Sequence, residues 1–216
     1  MNEQNFVCSW SGGKDSCFAA MKAIEAGYTP KVLLNVMNED GKISRSHGIP
    51  SSILQQQAMA ANLPIHLINS SWEKYEQNFI EALSTLTQQH QLTHAVFGDI
   101  DLQGHRDWEE KVCATANLQA QLPLWQQSRK QLVIEMFQAG IETIIVSCNE
   151  IMGANFLGKQ LTIELVETLE HLGIDACGEN GEFHTLVINC PLFKNPISAT
   201  VTNTINHNNY WFAELV

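Results

Sequence analysis

Short apolar runs alternate along the chain with longer stretches in which apolar residues recur every three or four positions. Phe6 to Trp10 predicts a first strand. Cys17, Phe18, Met21 and Ile24 then fall on one helical face, and Gly27 stops that helix. Val32 to Met37 reads as a second strand, buried on both faces. Ser51 to Asn62 predicts a helix ended by Pro64, and Ile65 to Ile68 a third strand. Tyr75, Phe79, Leu83 and Leu86 form the stripe of the next helix. His94 to Phe97 predicts a fourth strand, Asp107 to Leu118 a helix and Leu122 to Trp125 a fifth strand. This βαβαβαβα order argues for a parallel sheet covered by helices on both faces.

The pattern changes after about Trp125. A helix over Arg129 to Ala139 leads into a strand over Glu142 to Cys148, and Leu161, Leu165, Leu169 and Leu172 line a further helix. The rest is β-rich: Phe183 to Cys190, Ala199 to Ile205 and Tyr210 to Leu215. A boundary near residues 126–130 divides the chain into a domain of residues 1–127 and a smaller α+β domain of residues 128–216. There is no internal repeat.

Composition narrows the class. Of 216 residues, 44% are hydrophobic and 16% charged, which excludes an extended disordered tail protein. The net charge of −11 makes a poor non-specific partner for DNA, RNA or an anionic membrane, although a local basic pocket remains compatible with it. Nothing at the amino terminus reads as a signal peptide, and no stretch approaches the ~20 apolar residues of a membrane span. The six cysteines are scattered with no C-x-x-C pair, which points to a reducing, cytoplasmic compartment and no structural zinc.

The most informative residues follow the first strand: Ser9-Trp10-Ser11-Gly12-Gly13-Lys14-Asp15-Ser16. Two glycines let the backbone turn tightly and approach a ligand, and the helix that begins at once turns its free N–H groups and positive dipole end toward that turn. Such a site suits a phosphate or pyrophosphate. Ser11 and Ser16 add hydroxyls. Lys14 adds a positive charge that can follow charge building on a leaving phosphate. Asp15 would cap the helix or hold Mg²⁺ through water. A Gly-Gly turn capped by Ser and Asp is the plainer reading of two glycines alone, but the full Ser-Gly-Gly-Lys-Asp-Ser run is more specific. It is neither a Walker A motif nor a Rossmann fingerprint. It resembles the PP-loop of the ATP pyrophosphatases, which split ATP to AMP and pyrophosphate on a five-stranded parallel sheet of the Rossmann-like adenine-nucleotide α-hydrolase (HUP) type.

A second run, Cys177-Gly178-Glu179-Asn180-Gly181-Glu182-Phe183-His184-Thr185, crowds carboxylates, an amide and an imidazole just before the apolar Leu186-Val187-Ile188. From composition, a solvated turn explains it equally well. Together with Ser-Gly-Gly-Lys-Asp-Ser, however, it resembles the diphthine–ammonia ligase family. A third stretch fits the same family: Gly98-Asp99-Ile100, His105-Arg106, Glu110-Lys111-Val112-Cys113 and Pro123-Leu124-Trp125. Two departures stand out. Trp108 occupies a position where the family often carries a second arginine, and Asp99 to Gly104 replaces the usual Tyr-Ser segment. Both lie where the second substrate would dock.

That resemblance implies an ATP-dependent carbon–nitrogen ligase. AMP is transferred to the carboxylate of diphthine on a translation elongation factor, and ammonium then forms the amide. It implies ATP as substrate with Mg²⁺. It places Ser9, Ser11, Gly12, Gly13, Lys14, Asp15 and Ser16 around the nucleotide. Val36 and Met37 would flank adenine, Gly98 would let the fourth strand approach the nucleotide, and Arg106 would contact a phosphate or the acceptor carboxylate. Glu179, Asn180, Glu182 and His184 would face this pocket from the second domain, with Glu179 or Glu182 binding ammonium and one carboxylate or His184 removing its proton. His47 lies in a stretch similar to a family segment, although a lone loop histidine is more often a surface residue. Trp10 and Trp108 could stack a trimethylammonium group but read first as packing residues. Cys113 and Cys177 would need a lowered pKa to act as nucleophiles.

Other readings stay open. The same AMP-forming chemistry could serve a small-metabolite acceptor, which a bacterial source would favour because diphthamide belongs to eukaryotes and archaea. A tRNA thiolase would want a basic face and paired cysteines, and a non-catalytic nucleotide-binding module would be expected to lose Lys14 or the Glu179–His184 loop. A homo-oligomer is compatible with all of these.

Overall fold

In the computed structural model, which describes residues 3–216, two sheets carry the chain. The first is parallel, in the order β3-β2-β1-β4-β5: β1 Asn5–Ser9, β2 Thr29–Met37, β3 Ile65–Asn69, β4 His94–Val96 and β5 Gln119–Gln121. Helices α1 (Lys14–Glu25), α2 (Ser51–Ala61), α3 (Tyr75–His90) and α4 (Gln103–Thr115) connect these strands. The parallel sheet read from the periodicity is the one observed, five strands in a Rossmann-like order with a second sheet beside it. Strands so short pair in parallel because each crossover helix buries its apolar stripe on the sheet.

The second sheet is antiparallel, in the order β7-β6-β9-β8: β6 Glu142–Asn149, β7 Phe183–Asn189, β8 Val201–His207 and β9 Tyr210–Leu215. Helices α5 (Arg129–Gln138) and α6 (Ile163–His171) accompany it. β8 and β9 are joined at Asn208-Asn209, both in the left-handed region (φ 50° and 66°), as a tight primed hairpin turn requires.

The two sheets share one core. Phe6, Cys8, Leu33 and Met37 on one face of the parallel sheet belong to the same apolar cluster as Ile145, Phe183 and Leu186 of the antiparallel one. On the opposite face Val7, Val32, Leu34 and Val36 pack with α3 and α4 residues such as Phe79, Leu83 and Val112. Alternate residues of β1 and β2 thus serve two different layers.

Three element readings are corrected. The fifth strand is Gln119–Gln121, and Leu122–Trp125 forms the turn after it. A three-residue strand is too short to show a period, whereas the apolar turn residues imitate one. Helix α4 begins at Gln103, four residues ahead of the apolar signal, because its first turn is exposed and polar. Of the four leucines assigned to one helix, only Leu165 and Leu169 lie within α6; Leu161 precedes it as a buried residue, and Leu172 caps it half-exposed.

Candidate functional site: the phosphate loop and the loop that covers it

The turn from β1 into α1 runs at the carboxyl end of the parallel sheet, where open α/β sheets bind ligands. Gly12 adopts φ +87°, and a Cβ there would meet Gln57, Ile49 and Leu54 at 3.0 Å. Gly13 precedes α1 without a side-chain cap. Its amide donates to Ser11 Oγ at 3.2 Å, and Ser16 Oγ lies 3.0 Å from Ser11 Oγ and donates to the Gly13 carbonyl at 3.1 Å. The two serines hold the loop shape from within.

The second sheet closes over this loop. Val187 N donates to the Gly12 carbonyl at 2.9 Å, and Lys14 N donates to Thr185 Oγ1 at 3.1 Å. Gln57, fully buried, accepts from Trp10 Nε1 at 2.8 Å and donates to the carbonyls of Gly12 (3.0 Å) and Val187 (2.8 Å). Thr185, the last residue of the second run, and Gln57, which carries no local sequence signal, therefore belong to the site.

Lys14 is buried. Its Nζ bonds Asp15 Oδ2 at 2.9 Å and the carbonyl of Cys177 in the covering loop. Burial is the largest influence and opposes its charge, but Asp15, Cys177 and Glu179 together outweigh it and the net shift is upward. Asp15 Oδ1 is buried with no partner. Burial pushes the Asp15 carboxyl up against the pull of Lys14. No group of three or more His, Cys, Asp or Glu among the described residues could hold a metal ion. The free oxygen of Asp15 nonetheless fits a divalent cation brought by a triphosphate.

Of the four residues assigned to the covering loop, the structure brings two to the phosphate loop. Glu179 Oε1 accepts from Ile100 N at 3.3 Å, and burial, with Asp15 and Asp99 nearby, raises its pKa to about 7. His184, on β7, stacks against His47 with ring centroids 4.4 Å apart, and His47 Nε2 lies 2.9 Å from where a Gly13 Cβ would be. Burial, with Lys14 nearby, depresses both imidazoles, His184 to about 4, so both are neutral at physiological pH. The reading of His47 as a surface histidine is thereby overturned: the segment after β2 folds back against Gly13.

Asn180 and Glu182 face the other way. Glu182 accepts from Asp175 N (3.3 Å), Asn180 Nδ2 (3.1 Å) and Asn180 N (3.1 Å), which braces its own loop. Both line a separate hollow of about 640 Å³ that contains no phosphate-loop residue. Size does not mark the site here; the smaller cleft lined by Ser9, Ser11, Asn35, Val36, Arg45 and Tyr75 lies against the loop.

Three further placements differ from expectation. Val36 faces the cleft, but Met37 is fully buried in the opposite layer, because neighbours on a strand point to opposite faces. Gly98 is tight against protein, since its Cβ would fall 2.7 Å from backbone atoms of Asp15 and Ser16. Arg106 pairs with Glu110 at 2.7 Å and lies over the Trp125 ring. The aromatic and thiol candidates resolve as packing: Trp10 is buried, Trp108 packs on Tyr75 and Phe79, and burial pushes Cys113 and Cys177 up to about 12.

Sequence reasoning placed Asp99 in a motif without a role and missed Glu109. Asp99 Oδ1 lies 2.6 Å from His105 Nδ1, and near it sits Glu109, which is 3% exposed with Oε2 buried and without a hydrogen-bond partner. Burial, with the Asp99 carboxylate nearby, raises Glu109 to about 11, so it holds a proton there.

Residues 5–120 match the family model for the diphthamide synthase N-terminal domain, and residues 128–215 match that for its C-terminal domain. The chain belongs to the diphthamide synthase family. Relatives in this family include proteins named diphthine–ammonia ligase. The rat protein is 28% identical over 94% of this chain and 85% of its own length. The zebrafish protein is 28% identical over 94% and 89%. The fission-yeast protein is 29% identical over 92% of this chain but only 36% of its own length. A solved structure described as a predicted subunit of tRNA methyltransferase from Methanocaldococcus jannaschii aligns over 89% of this chain and all of its own, with 17% identity and a TM-score of 0.46. Family membership implies a ligase with ATP as a substrate. No helix among the described residues is long and apolar enough to cross a membrane.

Proposed function

We propose that this diphthamide synthase family member is an AMP-forming ligase that converts a carboxylate to an amide with Mg-ATP and ammonium. A carboxylate resists ammonia because its carbon is electron-rich and oxide is a poor leaving group. Attack of a carboxylate oxygen on the α-phosphorus releases pyrophosphate and leaves an acyl adenylate. Ammonium loses one proton to become ammonia, whose nitrogen attacks the carbonyl carbon; AMP departs and the nitrogen gives up one further proton, keeping two in the amide.

The observation that carries this reading is that Lys14 reaches from the phosphate loop to the Cys177 carbonyl of the covering loop, with Glu179, two residues further on, within the electrostatic reach of Lys14 and Asp15. Glu179, raised to about 7, is matched to accepting a proton from the attacking nitrogen. Ser11, Gly12, Gly13 and Ser16 cradle phosphate, Lys14 supplies the positive charge, and Asp15 Oδ1 suits the cation that accompanies ATP. His184, neutral beside His47, is suited to donating a hydrogen bond rather than to carrying charge. The acceptor is diphthine, which the relatives' name gives, carried on an elongation factor as the family resemblance implies.

The test is to incubate the protein with Mg-ATP, ammonium and candidate acceptors and to follow the nucleotides. AMP and pyrophosphate are expected, and ADP as product would overturn the reading. Lys14→Ala should abolish turnover; near-normal AMP release from that variant would remove its assigned role.

A further inference from the structure

Arg129 opens α5, where the chain passes from one sheet to the other. Its Nε and Nη2 reach the two oxygens of Asp101 at 2.8 and 2.7 Å, a bidentate pairing. Its Nη1 reaches Asn180 Oδ1 at 3.0 Å and Asp175 Oδ2 at 3.2 Å, and its carbonyl accepts from Cys177 Sγ at 3.0 Å. Asp101 lies in the segment after β4, whereas Asp175 and Asn180 flank Glu179. The other oxygen of Asp175 accepts from the amides of Cys177 (2.9 Å) and Glu179 (3.2 Å). Ile100, next to Asp101, donates to the Glu179 carboxylate at 3.3 Å. The backbone and the carboxylate of Glu179 are thus each held by a group that Arg129 fixes or by its immediate neighbour.

We propose that Arg129 is a positioning residue whose guanidinium fork clamps the segment after β4 to the covering loop and so keeps the Glu179 carboxylate buried against the phosphate loop. Its consequence for turnover rests on the ligase reading given above; the clamp does not. The groups facing Glu179 are Lys14 and Asp15 from α1, Asp99 after β4, His105 and Glu109 from α4, and Cys177 in its own loop. Burial is the largest cause of its shift to about 7.

Carboxyl-carbon NMR on glutamate-labelled protein reads this directly, with the Glu179 resonance assigned by its loss in Glu179→Gln. The native midpoint is expected near 7. Removing a cation by itself would raise a carboxyl pKa, whereas releasing the loop into water lowers it, so the sign separates the two causes. Arg129→Gln should lower the midpoint by about one to two units and move the acidic limb of AMP formation the same way. Arg129→Lys keeps the charge without the fork and should shift it in the same direction; it also serves if the Gln variant does not fold. A midpoint that stays put or rises in a folded variant overturns the clamp. If the midpoint falls while no acceptor supports AMP formation, the clamp stands and the ligase reading fails.

Discussion

Gly98→Ala is the smallest change that should damage the site. The added Cβ would fall 2.7 Å from the Asp15 carbonyl carbon, 2.7 Å from Ser16 N and 3.0 Å from Asp15 O. All three are backbone atoms of the first turn of α1, so no side chain can swing aside. Comfortable contacts need about 3.5–4.0 Å, so α1 and the end of β4 must separate by on the order of 0.5–1 Å. Overpacking of this kind costs about 1–3 kcal/mol. At about 2–4 °C per kcal/mol for a chain of this size, the melting temperature should fall by roughly 2–12 °C. The same shift moves the phosphate loop, and a misplacement of about 1 Å at a reacting centre costs on the order of 100-fold in rate. Thermal unfolding by circular dichroism and calorimetric ATP titration give the two readings. Gly104→Ala is the control: nothing lies within 4 Å of its Cβ, and it lies in α4, where alanine should hold or raise stability. Unchanged melting and unchanged ATP affinity in Gly98→Ala would refute the argument that strand and helix touch there.

Other perturbations test other parts of the frame. Glu109, raised to about 11 from an ordinary 4.5, contributes stability that is fully present below about pH 4.5 and is lost progressively as pH rises toward 11. Glu109→Gln should therefore gain on the native chain as pH rises from 6 to 8, by at most about 1.4 kcal/mol per pH unit in urea unfolding. A gap independent of pH would contradict the proton held by Glu109. Gln57→Leu leaves Trp10 Nε1 and the carbonyls of Gly12 and Val187 without their side-chain partner and should lose about 2–4 kcal/mol. A loss under about 0.5 kcal/mol would show that water replaces it. All six cysteines are buried, so thiol reagents should label the native protein only as it unfolds. Rapid stoichiometric labelling of one thiol would sink that account.

The phosphate loop was legible because its signal is local. A strand, two glycines and a helix start lie within a dozen residues, and Gly12 has the positive φ such a turn requires. The covering loop was legible as a motif but not in its orientation. Glu179 and Glu182 look alike in the sequence, yet one reaches across to Ile100 and the other folds onto its own backbone. Gln57 and Arg129 gave no signal, because their partners lie 130 and 51 residues away. The stacking of His47 on His184 joins two segments that no periodicity relates.

Residue order by itself therefore determined the parallel sheet, the position of the phosphate loop and the family, all of which rest on hydrophobic period and contiguous motifs. Only the tertiary structure decided which covering-loop carboxylate turns toward Ile100 and which braces its own loop, which strand residue faces the cleft and why Gly98 must be glycine. Those outcomes depend on how two sheets close over one core, and burial, charge and contact there are set by residues far apart in the chain.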